Sequence, residues 1–290
     1  MKRIAFLGCE NSHADAFIKF IQANPETFAD VEIVGVYSDD PEKSQRLKEK
    51  YGVPVLTDYA DAVGMLDGVV ITARRGDNHY KYAKPYIQSG IPMFIDKPIT
   101  FCEEEAVAFM QELKANHIRI SGGSSLKQDV FVKQLKQEAK DEVEGKTLSG
   151  FVRAPFQREN KYGGFYFYAP HMVEIVCEIF GRYPISVTAK ENGEQIHVLF
   201  HYENYDCVGL YCNKNHLYYA SRMAETAVQG AEIPSTNDWF EEEFKEFYAL
   251  LEGGEQPSTY EDFIAPVFVM NAIKRSMESG KEEAVNAFEI

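Results

Sequence analysis

The run Phe94-Ile95-Asp96-Lys97-Pro98-Ile99-Thr100 sets an acid, a lysine and a proline at the end of an apolar, strand-like stretch. In open α/β sheets, ligands bind in the crevice beyond the carboxyl ends of the strands. A lysine at that lip is therefore placed to hydrogen-bond a ligand. Pro98 fixes its own φ and biases Lys97 away from helical geometry. Taken alone, the stretch reads more simply as a strand end with a solvated lysine. The rest of the chain reverses that order.

A second group of chemistry-bearing residues follows the first apolar run. Gly8 stands where a dinucleotide fold places its glycine turn, but Glu10 and His13 hold the other two positions of the G-x-G-x-x-G pattern. The second glycine normally lets the backbone approach a pyrophosphate. A Glu10 carboxylate about 4 Å from a phosphate would cost a few kcal/mol at an effective dielectric of about 20, unless it points away. Asn11, Ser12 and His13 offer donors at a helix N-terminus, which suits an anion. Ser12 is equally explained as an N-cap with Asp15 at the capping-box position. The second run ends Val36-Tyr37-Ser38-Asp39-Asp40. A ribose-binding acid is expected about 20 residues past the glycine turn; Ser38 holds the first place to look, and Asp39 comes one later. Ser38 would tolerate a 2′-phosphate better than an acid, while Asp39 and Asp40 are equally turn and cap residues. Arg74 and Arg75, just after Thr72, lie at another strand end. They either contact a cofactor or acidic substrate, or are solvated.

These residues need elements to hold them. Short apolar runs at 3–8, 31–37, 53–56, 68–72, 91–95 and 117–121 alternate with helical patterns at 12–24, 40–51, 58–66, 79–89 and 102–116. Asp40 reads as an N-cap with Pro41 at the first helical position. Strands separated by helices predict right-handed crossovers and a doubly wound, Rossmann-type parallel sheet. Past Gly122-Gly123-Ser124, taken as the hinge, the pattern changes. A helix is expected over 129–144 and strands over 148–155, 185–190, 195–202, 206–213 and 216–223, alternating apolar and polar residues as in a mostly antiparallel sheet with one solvated face. Helices over 239–251 and 265–279 close the chain. The expected architecture is α/β: a dinucleotide-binding domain over 1–122, and an α+β substrate-binding and oligomerisation domain over 123–290.

Composition narrows the function. The 290 residues suffice for two cores, and the net charge of −15 argues against a general nucleic-acid or anionic-membrane binder. The start of the chain reads as a strand rather than a signal peptide, and no apolar stretch has the length to span a bilayer. Five scattered cysteines, Cys9, Cys102, Cys177, Cys207 and Cys212, predict reduced thiols in a cytoplasmic protein. His197 and His201 share a strand face without a third ligand, so no metal site is expected.

Read together, the chain resembles the Gfo/Idh/MocA family, the relatives of glucose–fructose oxidoreductase and inositol dehydrogenase. Asp96-Lys97-Pro98 is similar to its Glu-Lys-Pro motif, Asp40-Pro41-Glu42 to its second helix start, and Tyr51-Gly52-Val53 to the turn after it. Thr72 and His79 match its residues after the fourth strand. Phe240–Phe247, Gly254-Glu255-Gln256-Pro257, Ser258–Asp262 and Ser276–Gly280 match its closing pattern. The resemblance implies NAD or NADP as cofactor, and Gly8, Glu10, Asn11, Ser12, His13, Ser38, Asp39, Thr72, Arg74, His79, Asp96 and Lys97 as the cofactor-side residues. It implies hydride transfer to or from a small hydroxyl or carbonyl substrate such as a sugar or polyol derivative. Lys97 would steer the substrate hydroxyl and the nicotinamide. The family's catalytic histidine matches His171 in Gly163-Gly164-Phe165-Tyr166-Phe167-Tyr168-Ala169-Pro170-His171, with Tyr168 as a possible assistant. The family's aspartate and glycine are here Phe167 and Ala169, which puts a polyol substrate in doubt. A homodimer or homotetramer through the second sheet is a further expectation from the resemblance. The competing expectation is a member that has lost redox catalysis and acts as a ligand-binding or regulatory protein.

Overall fold

A computed structural model describes residues 1–234, 236 and 238–290. Two sheets organise the chain. The first is parallel, with strand order β2-β1-β3-β4-β5, where β1 is Lys2–Leu7, β2 Val31–Tyr37, β3 Gly68–Ile71, β4 Met93–Asp96 and β5 Ile120–Gly123. β3 and β4 are buried throughout, as befits parallel strands covered on both faces. The helices between them are α1 (Ser12–Ala23), α2 (Pro41–Tyr51), α3 (Asp77–Ala83) and α4 (Glu103–Ala115). α5 (Val130–Lys140) then leads into the second sheet.

The second sheet has seven strands in the order β11-β10-β6-β9-β8-β7-β12. They are β6 (Thr147–Phe156), β7 (Ser186–Asn192), β8 (Gln195–His201), β9 (Asp206–Asn213), β10 (Tyr218–Ala224), β11 (Val228–Ile233) and β12 (Glu282–Ala284). All pairs are antiparallel except β6 with β9. α6 (Ala169–Phe180) is buried at every position, because it lies against the apolar face of this sheet. α7 (Asp238–Leu251) and α8 (Tyr260–Ser279) complete the fold.

α7 comes late in sequence yet its Phe244 and Phe247 share a core with Phe6, Val70 and Phe94 of the first sheet and Phe17 of α1. Each such ring, buried from water, stabilises the fold by roughly 1.5–3 kcal/mol. The second half of the chain therefore supplies a helix to the layer covering the first sheet.

The structure corrects several local expectations. Residues 53–56 form one bridge, Val36 with Val55, and no strand, since Pro54 has no N–H to give to a ladder. Residues 58–66 are successive turns. Asp61 accepts the Thr57 and Asp58 amides, a competing arrangement that keeps the backbone out of a helix. The N-cap of α1 is Asn11, whose side chain accepts from the Ser12 amide, not Ser12. β11 and β12 are edge strands that sequence alternation did not mark. Gly122 and Gly123 are the end of β5, not a free hinge. Gly122 has φ +122°, and a Cβ there would lie 2.0 Å from the Ile95 carbonyl oxygen, so only glycine lets β5 run beside β4 at this point.

Candidate active site

The carboxyl ends of β1 and β4 form the floor of a cavity of about 630 Å³. At the end of β4, Asp96 is fully buried. It accepts the Lys97 amide at 2.7 Å and the Asn11 side-chain amide. These bonds fix the backbone from which the Lys97 side chain rises. The Lys97–Pro98 peptide is cis. Lys97 is 6% exposed and lines the cavity. Its ammonium sits 5.1 Å from the centroid of the Phe167 ring, a cation–π contact, and makes no ion pair among the described residues. A nearly buried ammonium with no carboxylate partner is a strong donor to whatever enters.

The opposite wall is the first turn of α6. His171 lines the same cavity, and its Nδ1 lies 2.7 Å from Ser124 Oγ. Ser124 Oγ also accepts the Leu126 amide at 3.3 Å. Burial, and then the Lys97 charge, hold the imidazole well below its usual pKa. His171 is thus a neutral ring at working pH. With Nδ1–H given to Ser124, its Nε2 keeps a lone pair free to take a proton. Tyr168, Phe167, His216 and Tyr218 continue this wall. Burial pushes the Tyr168 phenol up, so it remains a neutral hydroxyl, with its ring 6.0 Å from that of His171.

Beyond this centre lies the turn after β1. Gly8 has φ +78°, and a Cβ there would meet the Ala73 backbone at 2.4 Å. The surviving glycine is needed for that approach. Asn11, Ser12, His13 and Arg74 line the cavity. The Arg74 guanidinium lies 5.2 Å from the Tyr162 ring centroid, and its buried Nε has no hydrogen-bond partner among the described residues. His13 is enclosed: Nδ1 lies 3.4 Å from Asp96 and Nε2 3.2 Å from Glu243 of α7. Burial lowers the His13 pKa to about 4, against the raising effect of Asp96. Burial and the Asp96 charge push the Glu243 carboxyl well above its usual range. Both shifts favour the uncharged forms of the pair.

Other expected cofactor-side residues do not line this cavity. Glu10 and Ser38 bond to each other at 2.8 Å, outside the cavity lining. The Asp39 carboxylate accepts the Tyr37 hydroxyl at 2.7 Å and lies 3.8 Å from Lys81, so it is turned toward α3. Thr72 is buried and donates to the Gly8 carbonyl at 3.1 Å. His79 is buried, with its two ring nitrogens at the Ala73 and Ile99 carbonyls, 2.8 and 3.3 Å away. Both brace the loops beneath the cavity, as does Asp96, and do not line it.

Ser124, Ser125, Leu126, His216, Tyr218, Trp239, Phe240 and Glu243 carried no sequence signal for the site. Four of the eight, Tyr218, Trp239, Phe240 and Glu243, reach it from β10 and α7, far along the chain. A larger groove of about 760 Å³ lies between α5 and α6. Its Lys136 and Arg182 are paired with Glu178.

Residues 2–124 match a family model, GFO_IDH_MocA, described as an oxidoreductase family with an NAD-binding Rossmann fold. No curated protein matches the sequence. Among solved structures, the whole chain is similar to a myo-inositol dehydrogenase from Corynebacterium glutamicum, with TM-score 0.83, 16% identity, and 99% of this chain and 100% of that one covered. It is similar to a scyllo-inositol dehydrogenase from Lactobacillus casei bound to NAD(H) and scyllo-inositol, with TM-score 0.84, 14% identity, and 99% and 100% covered. A myo-inositol 2-dehydrogenase from Lactobacillus plantarum gives TM-score 0.84 at 14% identity, with 98% and 99% covered. At such identities these three show the shared fold. The family-model match covers residues 2–124 of the 290, and the likeness in fold extends over the rest of the chain.

Proposed function

We propose that the protein is an NAD(P)-dependent dehydrogenase or reductase acting on the CH–OH group of a small substrate. The observation that carries this reading is that Lys97 and His171, far apart in sequence, line one cavity with no competing partner for either reactive nitrogen among the described residues. The cofactor fits what is present. The α1 N-terminus and the orphaned Arg74 Nε suit a diphosphate, and the cavity has the volume of a small-ligand pocket. When bound, the nicotinamide supplies the hydride acceptor or donor.

The chain's own residues do the rest. In the oxidation direction, His171 Nε2 takes the substrate hydroxyl proton as a general base, with Nδ1–H held on Ser124. The Lys97 ammonium donates to the same oxygen and stabilises the developing alkoxide. Phe167 and Tyr168 keep water from that face. Phe167 offers no acceptor for a neighbouring hydroxyl, which favours a substrate with fewer hydroxyls than an inositol. The experiment is a titration of the protein with NADH and NADPH, followed by nicotinamide absorbance at 340 nm with a panel of inositols, sugars and simpler hydroxy compounds. Saturating NADH or NADPH at a hundredfold over Kd raises stability by about 2.7 kcal/mol. Binding of neither cofactor overturns the proposal.

The division at 1–122 and 123–290 remains our working boundary. Among the described residues no helix is long and apolar enough to cross a membrane. All five cysteines are free, which supports a reducing compartment such as the cytoplasm. The second sheet supports self-association. Val208, Met223 and Val228 are exposed apolar side chains on its strands, cross-strand neighbours of Phe151 and Ser149 or of each other, a face that a second copy of the chain would cover. A solution mass of two or four chains is expected; a monomer at micromolar concentration excludes this assembly.

A further inference from the structure

We propose that Glu10 is the carboxylate that receives the adenosine ribose, in place of an acid at the end of β2, and that it makes the protein select NAD over NADP. The inference rests on the cofactor reading above. In dinucleotide folds, the acid at the end of the second strand accepts the ribose hydroxyls and disfavours a 2′-phosphate. Here that position is Ser38, a neutral residue, and the next acid is engaged elsewhere: Asp39 accepts the Tyr37 hydroxyl and faces Lys81.

The geometry brings another carboxylate to the vacated position. Leu7 and Tyr37 are in register at the ends of β1 and β2. The Gly8 and Cys9 amides both donate to the Tyr37 carbonyl, at 2.8 and 2.9 Å. The turn after β1 is thereby folded over the end of β2, and its next residue, Glu10, lands on Ser38. Ser38 Oγ accepts the Asp40 amide at 3.1 Å, which directs its hydroxyl proton to Glu10 Oε2 at 2.8 Å. Glu10 Oε1 accepts the Arg74 amide at 3.0 Å. The carboxylate is held between the ends of β2 and β3, the two strands that flank β1. Each oxygen retains a lone pair, enough for the two vicinal hydroxyls of a ribose. A 2′-phosphate placed there would meet the carboxylate directly. The residue that spoils the glycine pattern is in this reading the one that restores its missing acid.

The test is a fluorescence titration of the wild-type chain and Glu10→Gln with NADH and NADPH, together with the 2′-deoxyadenosine analogue of NADH on the wild type. The wild type is expected to bind NADH about a hundredfold more tightly than NADPH, the scale set by one close like-charge contact. Glu10→Gln is expected to weaken NADH about tenfold and to bring the two cofactors within tenfold of each other. The deoxy analogue, which needs no variant to fold, is expected to bind the wild type about tenfold less tightly than NADH. A wild type that prefers NADPH, a Glu10→Gln ratio equal to wild type, tighter NADH binding by Glu10→Gln, or an undiminished deoxy analogue each overturns the role of Glu10. Failure of the wild type to bind either cofactor overturns the oxidoreductase reading instead.

Discussion

Lys97→Met lowers kcat about 10²–10³-fold, the effect of removing one donor to a developing oxyanion, while NADH binding stays within a fewfold. Methionine matches the lysine stem in length and flexibility, so the cavity wall is kept and the ammonium is lost. The variant is expected to be at least as stable as the parent, because Lys97 is 6% exposed and its ammonium, which lies over the Phe167 ring, makes no ion pair among the described residues. Burying an unpaired charge costs stability, so a fall in activity cannot be charged to unfolding. A second readout separates chemistry from packing. The Lys97 charge helps to hold the His171 imidazole well below its usual pKa, after burial. Removing it lets that pKa rise, and the acid limb of the pH–rate profile moves to higher pH. His171→Asn should lower turnover about 10²–10⁴-fold, the range for a general base, and abolish that limb. Unchanged turnover in Lys97→Met would end the assignment.

Stability falls steeply as the pH drops below about 6.5. His13 and His79 are buried and their pKa values are lowered to about 4. In the unfolded chain an imidazole titrates at about 6.5. Their contribution is therefore complete above that value and lost as pH falls toward 4, because the unfolded chain takes up protons that the folded one refuses. Each imidazole gives a slope of about 1.4 kcal/mol per pH unit across that window. Glu243 acts with the opposite sign. Its folded pKa is raised, so its contribution is complete below the unfolded carboxyl pKa and is lost as pH rises through the folded one. While Glu243 stays protonated in the fold, it offsets about one imidazole, leaving a net loss of about 1.4 kcal/mol per unit from this set. Glu243→Gln removes the offset. That variant should be more stable than the parent at pH 8 and lose stability more steeply below pH 6.5. Urea midpoints between pH 4.5 and 8 measure both. A parent with flat stability from 6.5 to 4.5 contradicts the neutral His13–Glu243 arrangement.

The sequence by itself determined the two-sheet architecture and the lip on which Lys97 stands. Buried parallel strands are written as continuous apolar runs, helix ends as caps, and both are local: Asp40-Pro41 starts α2 where it was expected, with the Asp40 side chain on the Glu42 amide. Where two local signals competed, reading failed. The 58–66 segment has a helical pattern, but the Asp61 carboxylate offers its backbone amides a better partner. The altered glycine turn was legible as a departure, yet not its meaning: whether Glu10 faces a phosphate or turns away depends on the register of β1 against β2, a long-range property. The same holds for the cavity. Ser124 behind His171, the aromatic wall from β10, and Glu243 behind His13 come from segments with no fixed spacing to the motifs. Tertiary packing alone decided them, because a side chain's partner, burial and proton affinity are set by what folds against it, and neighbours in sequence carry no record of that.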